Sequence, residues 1–137
     1  MTYEALNDPV INTDESGFQA GKIVCKLCSF GFVVSKKWTS TYITILDGIV
    51  KIYDSEESCR SNPLNTVFQI VLSSRHRASE VKKKNYSQDK LKIIEFYCFY
   101  IEIDNGIFAS TRLLKIGSPD PGIIERLVRC IDLMTGN

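Results

Sequence analysis

Lys37-Trp38-Thr39-Ser40-Thr41-Tyr42-Ile43-Thr44-Ile45-Leu46-Asp47-Gly48-Ile49-Val50-Lys51-Ile52-Tyr53-Asp54 is the stretch that decides the fold. Two runs dense in β-branched and aromatic residues, Tyr42–Leu46 and Ile49–Tyr53, flank Asp47-Gly48. A two-residue type I′ turn requires positive φ at both positions, and Asp-Gly tolerates it. The stretch therefore predicts a β-hairpin.

Beyond the hairpin, residues 54–65 hold Ser, Asn, Pro and charges and read as a loop. Val67–Leu72 reads as a strand, 75–81 as a short weak strand, and Lys82–Lys90 as a polar basic loop. Leu91–Ile103 is a long strand, Asp104-Asn105-Gly106 a tight turn, and Ile107–Ile116 the returning strand. Tyr97, Phe99 and Tyr100 on the long strand are expected in the packing. The period then changes: Ile123, Ile124, Leu127, Val128 and Ile131 form one stripe of a helix. Asp120 suits its N-cap, Pro121 its first position and Gly136 its end. Before the hairpin, Ile23–Leu27 predicts the first strand. Residues 1–20 carry Glu4, Asp8, Asp14 and Glu15 with no Lys or Arg, and predict an acidic flexible leader to a domain spanning 21–137.

The sum is a mainly β domain of seven strands closed by one C-terminal amphipathic helix. Seven strands in one sheet must curl or split, and the helix can cover an open end. The length of 137 residues permits a core without disulfides or metal. With 44% hydrophobic and 24% charged residues, the composition excludes a disordered or collagen-like chain. Five cysteines, an odd number, and no secretory signal predict reduced thiols in an intracellular protein.

This order of elements resembles a pleckstrin homology (PH) domain. Trp38 stands where that family opens its second strand, Ile43 and Ile45 at the apolar places that follow, and Ser118-Pro119-Asp120-Pro121 through Ile131 at its capping helix. Leu127 occupies the place of the family's helix Trp. More narrowly, the chain is similar to the acylated PH-domain proteins of apicomplexan parasites, which sense phosphatidic acid, although Thr2 stands where myristoylation requires Gly. The resemblance implies a bent β-sandwich or barrel capped by a helix. It also implies a site at the open end, in the loop joining strands one and two.

Lys26 matches the family's basic position late in strand one, but Thr39 and Thr41 replace the basic pair of strand two, so a bidentate Arg fork is missing there. The connecting loop instead offers Phe30, Phe32, Val33 and Val34 between Lys26 and Lys36-Lys37. That pattern suits an apolar wedge in a bilayer with lysines at headgroup level. Two inserted Phe and three lysines would gross roughly 6–9 kcal/mol before ordering costs. The alternative is that these apolar residues extend a strand and fill the core. A second basic cluster comprises Arg75, Arg77, Lys82, Lys83 and Lys84; residues 73–92 sum to +5. It reads either as a membrane-steering surface or as a solvated face.

The implied function is a non-catalytic module for an anionic phospholipid, phosphatidic acid or a phosphoinositide, acting as a monomer without cofactor or metal on the cytosolic face of a membrane. A protein-interaction module on the same fold is the alternative. Nucleic acid is not expected, because the net charge is only +1 and no aromatic nucleic-acid motif stands beside the lysine run. Catalysis is not expected either. His76, the single histidine, lies between Arg75 and Arg77 with no adjacent carboxylate, and Cys25-x-x-Cys28 has no second ligand pair.

Overall fold

A computed structural model describes residues 18–29, 32–33, 39–89, 92–106 and 108–136, with side chains over 40–85, 95–106 and 110–136. The elements in order are β1 (Phe18–Ser29), β2 (Phe32–Val33), β3 (Thr39–Leu46), β4 (Ile49–Tyr53), α1 (Glu56–Ser61), β5 (Phe68–Val71), β6 (His76–Ala78), β7 (Lys82–Asp89), β8 (Lys92–Asn105), β9 (Phe108–Ser118) and α2 (Pro121–Thr135). The predicted leader overlaps the start of β1, and residues 1–17 lie outside the described residues.

The β3–β4 hairpin forms as its sequence predicts. Leu46 pairs with Ile49, and Asp47 and Gly48 take φ of 54° and 76°. All pairings are antiparallel, in the path β5-β4-β3-β1-β9-β8-β6, with β2 beside β1 and β7 beside β8. β1 joins the two halves: Val24 and Cys25 pair with β3 on one side and β9 on the other. Ile43, Ile45, Val50, Ile52 and Ile70 from one half meet Phe99, Ile101, Leu114 and Ile116 from the other in a single core. The two ends of the path do not pair, so the sheet is not closed into a barrel among the described residues.

Helix α2 completes the core with Ile123, Ile124, Leu127, Cys130 and Ile131. Its ends follow the predicted chemistry. The Asp120 carboxylate accepts the Gly122 N–H at 2.9 Å, Pro121 fills the first turn, and Gly136 ends the helix at φ 79°. Each of these groups satisfies or removes backbone donors and acceptors that a helix terminus would leave unpaired.

Two sequence expectations need correction. Lys82–Lys90 is not a loop: Lys82–Asp89 is strand β7, paired along β8. A ladder of backbone hydrogen bonds needs no apolar side chains at a solvent edge, and lysines there discourage further pairing. Residues 54–65 are not wholly irregular, because they contain α1, whose N-cap Ser55 Oγ accepts the Ser58 N–H at 3.0 Å. Six residues are too few to reveal a helical period.

Helix α1 lies against β3 and β4. It shelters the cross-strand pair Tyr42 and Tyr53, which are 6% and 2% exposed. The Tyr53 hydroxyl donates to the Pro63 carbonyl at 2.7 Å. Burial, with Glu56 adding, pushes the Tyr42 phenol up to about 12. Burial also raises Tyr53, with Cys59 contributing.

Candidate functional site

The predicted loop site is only partly visible. Phe30, Val34, Lys36 and Lys37 lie outside the described residues. Phe32 and Val33 form β2, opposite Ser29 and Cys28, and their side chains are outside the described set, as is that of Lys26. The backbone does place Lys26: it is the register partner of Lys115, which is the register partner of Tyr100. One row thus crosses β1, β9 and β8.

The second basic cluster sorts into three kinds of side chain. Arg75 is a clamp, donating through Nε and Nη2 to the Asp104 carbonyl at 3.2 and 2.7 Å. Arg77 is also committed, donating to Glu102 Oε1 at 3.3 Å and to Ser110 Oγ at 3.0 Å. Lys83 pairs with Glu95 at 3.0 Å, and that hydrogen bond raises its pKa. Lys82 and Lys84, one residue to either side of Lys83, fall on the opposite face of β7, as strand alternation requires. They line a cleft of about 310 Å³ and form no ion pair among the described residues.

Ser79, Glu80, Tyr100, Glu102, Arg112 and Lys115 complete most of the cleft wall. The backbone makes room for it where β6 stops and β7 has not begun. Across that gap the Ser79 N–H donates to the Tyr100 carbonyl, and the Tyr100 N–H donates to Ser79 Oγ, both at 2.8 Å. Tyr100 was expected in the packing with Tyr97 and Phe99. Phe99 is in the core and Tyr97 packs against it, but Tyr100 faces the cleft because it stands at the alternate position.

Arg112 and Lys115 are the residues that sequence reasoning missed. Three residues apart in a regular strand, they would face opposite sides. The register shifts between Ile101 and Glu102: Ile101 pairs with Leu114, yet Glu102 pairs with Arg112. This bulge absorbs Leu113 and turns both cations to one face, a common use of bulges near sites. The Arg112 guanidinium carbon lies 4.2 Å from the Tyr100 ring centroid and the Lys115 ammonium 5.5 Å from it. Glu102, only 14% exposed, sits between Arg77 at 3.3 Å and Arg112 Nε at 4.0 Å. The shorter contact commits its carboxylate mainly to Arg77. Lys82, Lys84, Arg112 and Lys115 thus surround the cleft, opposed there by Glu80 and the shared Glu102.

His76 is buried away from this face. Its Nδ1 accepts the Ser73 N–H at 2.9 Å, and burial, with Arg75 adding, holds its pKa below the ordinary value. Among the described residues no group of three His, Cys, Asp or Glu gathers at metal-binding spacing. No described helix is long and apolar enough to cross a membrane. Comparison with family models, curated proteins and solved structures yields no match to this chain.

Proposed function

We propose that the chain is a PH-like, non-catalytic module that attaches to the cytosolic face of a membrane by binding an anionic phospholipid. The observation that carries this reading is the outer face of β7, β8 and β9, where Lys82, Lys84, Arg112 and Lys115 surround one cleft. The row through Lys115 runs on to Lys26, the strand-one lysine of the proposed loop site. Cations gathered on one face attract an anionic surface, each contributing about 1 kcal/mol near it. The wedge residues Phe30, Phe32 and Val33 with Lys36 and Lys37 would add apolar depth beside that charge.

Co-sedimentation with vesicles at near-physiological salt tests the reading. Phosphatidylcholine alone should not bind. Vesicles carrying phosphatidylserine, phosphatidic acid or phosphoinositides at matched surface charge should bind, and added salt should weaken them. Phe30→Ala/Phe32→Ala and Lys36→Glu/Lys37→Glu should each reduce binding. Unchanged binding by both variants would remove the loop from the site.

A second reading, a protein-interaction module, draws on the other end of the sheet. Strand β5 ends the path, and Leu46, Ile49 and Val71 form an outer row there with Val71 64% exposed. Such an edge can accept a partner strand. Failure to bind vesicles of any composition would move the function to this edge.

A further inference from the structure

The outer cleft contains a cation stacked on an aromatic ring. The Tyr100 ring lies under the Arg112 guanidinium, and the Glu102 carboxylate lies beside its Nε. Its two terminal nitrogens donate to no group among the described residues. An arginine stacked on a ring, with a carboxylate 4.0 Å from its Nε, presents a planar fork that matches two oxygens of a phosphate. Lys82 and Lys84 face the same space from β7, and Lys115 stands on the same side of β9. Lysines act there as point charges that neutralise without imposing an angle. The volume of about 310 Å³ is at the small end of ligand sites, suited to one phosphorylated group and its carrier.

We propose that this cleft is a phosphomonoester site, with the Arg112 fork and the Lys82, Lys84 and Lys115 ammonium groups as its donors, and Tyr100 and Glu102 as residues that position Arg112. The proposal rests on the reading of this face as an anion-binding surface and adds the chemical group it takes. The phosphate can come from a lipid headgroup or from a soluble ester.

The full chain is titrated with glycerol 3-phosphate at constant ionic strength, following the backbone amide signals, with sodium chloride as the control. Saturable shifts at Ser79, Tyr100 and Arg112, absent with chloride, are expected. Arg112→Gln should raise the Kd roughly tenfold to a hundredfold, the loss for charge-assisted hydrogen bonds. Arg112→Lys should recover only a minor part, because it restores charge without the fork. Arg112 is exposed, so both variants should keep the wild-type far-ultraviolet spectrum.

Vesicles of phosphatidylcholine doped with phosphatidic acid form the second arm. Soluble binding with no vesicle binding would keep the cleft and overturn the membrane reading. Vesicle binding lost in Arg112→Gln, with no soluble binding, would keep the cleft and assign its phosphate to the lipid. Vesicle binding indifferent to Arg112→Gln and to Lys82→Gln/Lys84→Gln, with no soluble binding, would overturn the cleft and leave the membrane reading standing. No binding in either arm would overturn both.

Discussion

Two outer faces of the same sheet carry tyrosines and use them differently. On β3 and β4, Tyr42 and Tyr53 lie beneath α1, and the Tyr53 hydroxyl is spent on the Pro63 carbonyl. On β8, Tyr100 instead lines the cleft, with Arg112 and Lys115 over its ring. The covered tyrosines contribute apolar area removed from water, which is stability. The open tyrosine contributes a negative ring face that attracts cations. A residue type therefore says little about role until its cover is known.

The comparison breaks most visibly through truncation. Tyr53→Ala should cost about 3–5 kcal/mol in denaturant-measured stability, as for other buried aromatics. Tyr100→Ala should stay within about 1 kcal/mol of wild type. Equal losses would mean that the two faces are alike. Removing the cap of the cover is gentler: Ser55→Ala should cost about 1 kcal/mol in the same measurement. It should also bring the Tyr42 titration down from about 12 toward the ordinary phenol value, read by ultraviolet absorbance.

Tyr53→Phe deletes one hydrogen bond and leaves the Pro63 carbonyl without it, for about 1 kcal/mol. On the open face, Tyr100→Ala should weaken glycerol 3-phosphate binding severalfold, since an exposed cation–π contact is worth about 0.5–1 kcal/mol. The remaining test is alkaline. The folded phenols of Tyr42 and Tyr53 titrate above their unfolded values. As pH rises above the ordinary phenol pKa, the unfolded chain loses those protons first. Stability should therefore fall toward pH 12, the value to which Tyr42 is raised, and the Tyr53→Phe profile should be flatter.

The features legible in the sequence are those whose signals are local. Asp47-Gly48 encodes its own turn, and Asp120, Pro121 and Gly136 encode the ends of α2. The stripe from Ile123 to Ile131 encodes the face that α2 buries. Strand β7 was illegible because its reason for being a strand is the exposed edge of β8, not its own side chains. The basic cluster was legible as charge but not as function. Nothing in Arg75-His76-Arg77 or Lys82-Lys83-Lys84 says that Arg75 and Arg77 are bound to β8 and β9 residues while Lys82 and Lys84 stay open to the cleft. Arg112 was missed for a geometric reason. Strand alternation from Lys115 assigns it to the wrong face, and only the bulge opposite Ile101 and Glu102 corrects that.

Strand β1 has a consequence for how the molecule is made. It is the middle member of the sheet, yet Val24 pairs with Gly117, 93 positions further along the chain. Pairing at that distance carries the loop-closure entropy of a segment that includes β3 to β8. On a ribosome, β1, β3, β4 and β5 emerge as a sheet whose β1 edge is bare until β9 follows. Until β9 is synthesised, the nascent chain presents an open template to any other extended segment, a window in which chaperone capture competes with aggregation.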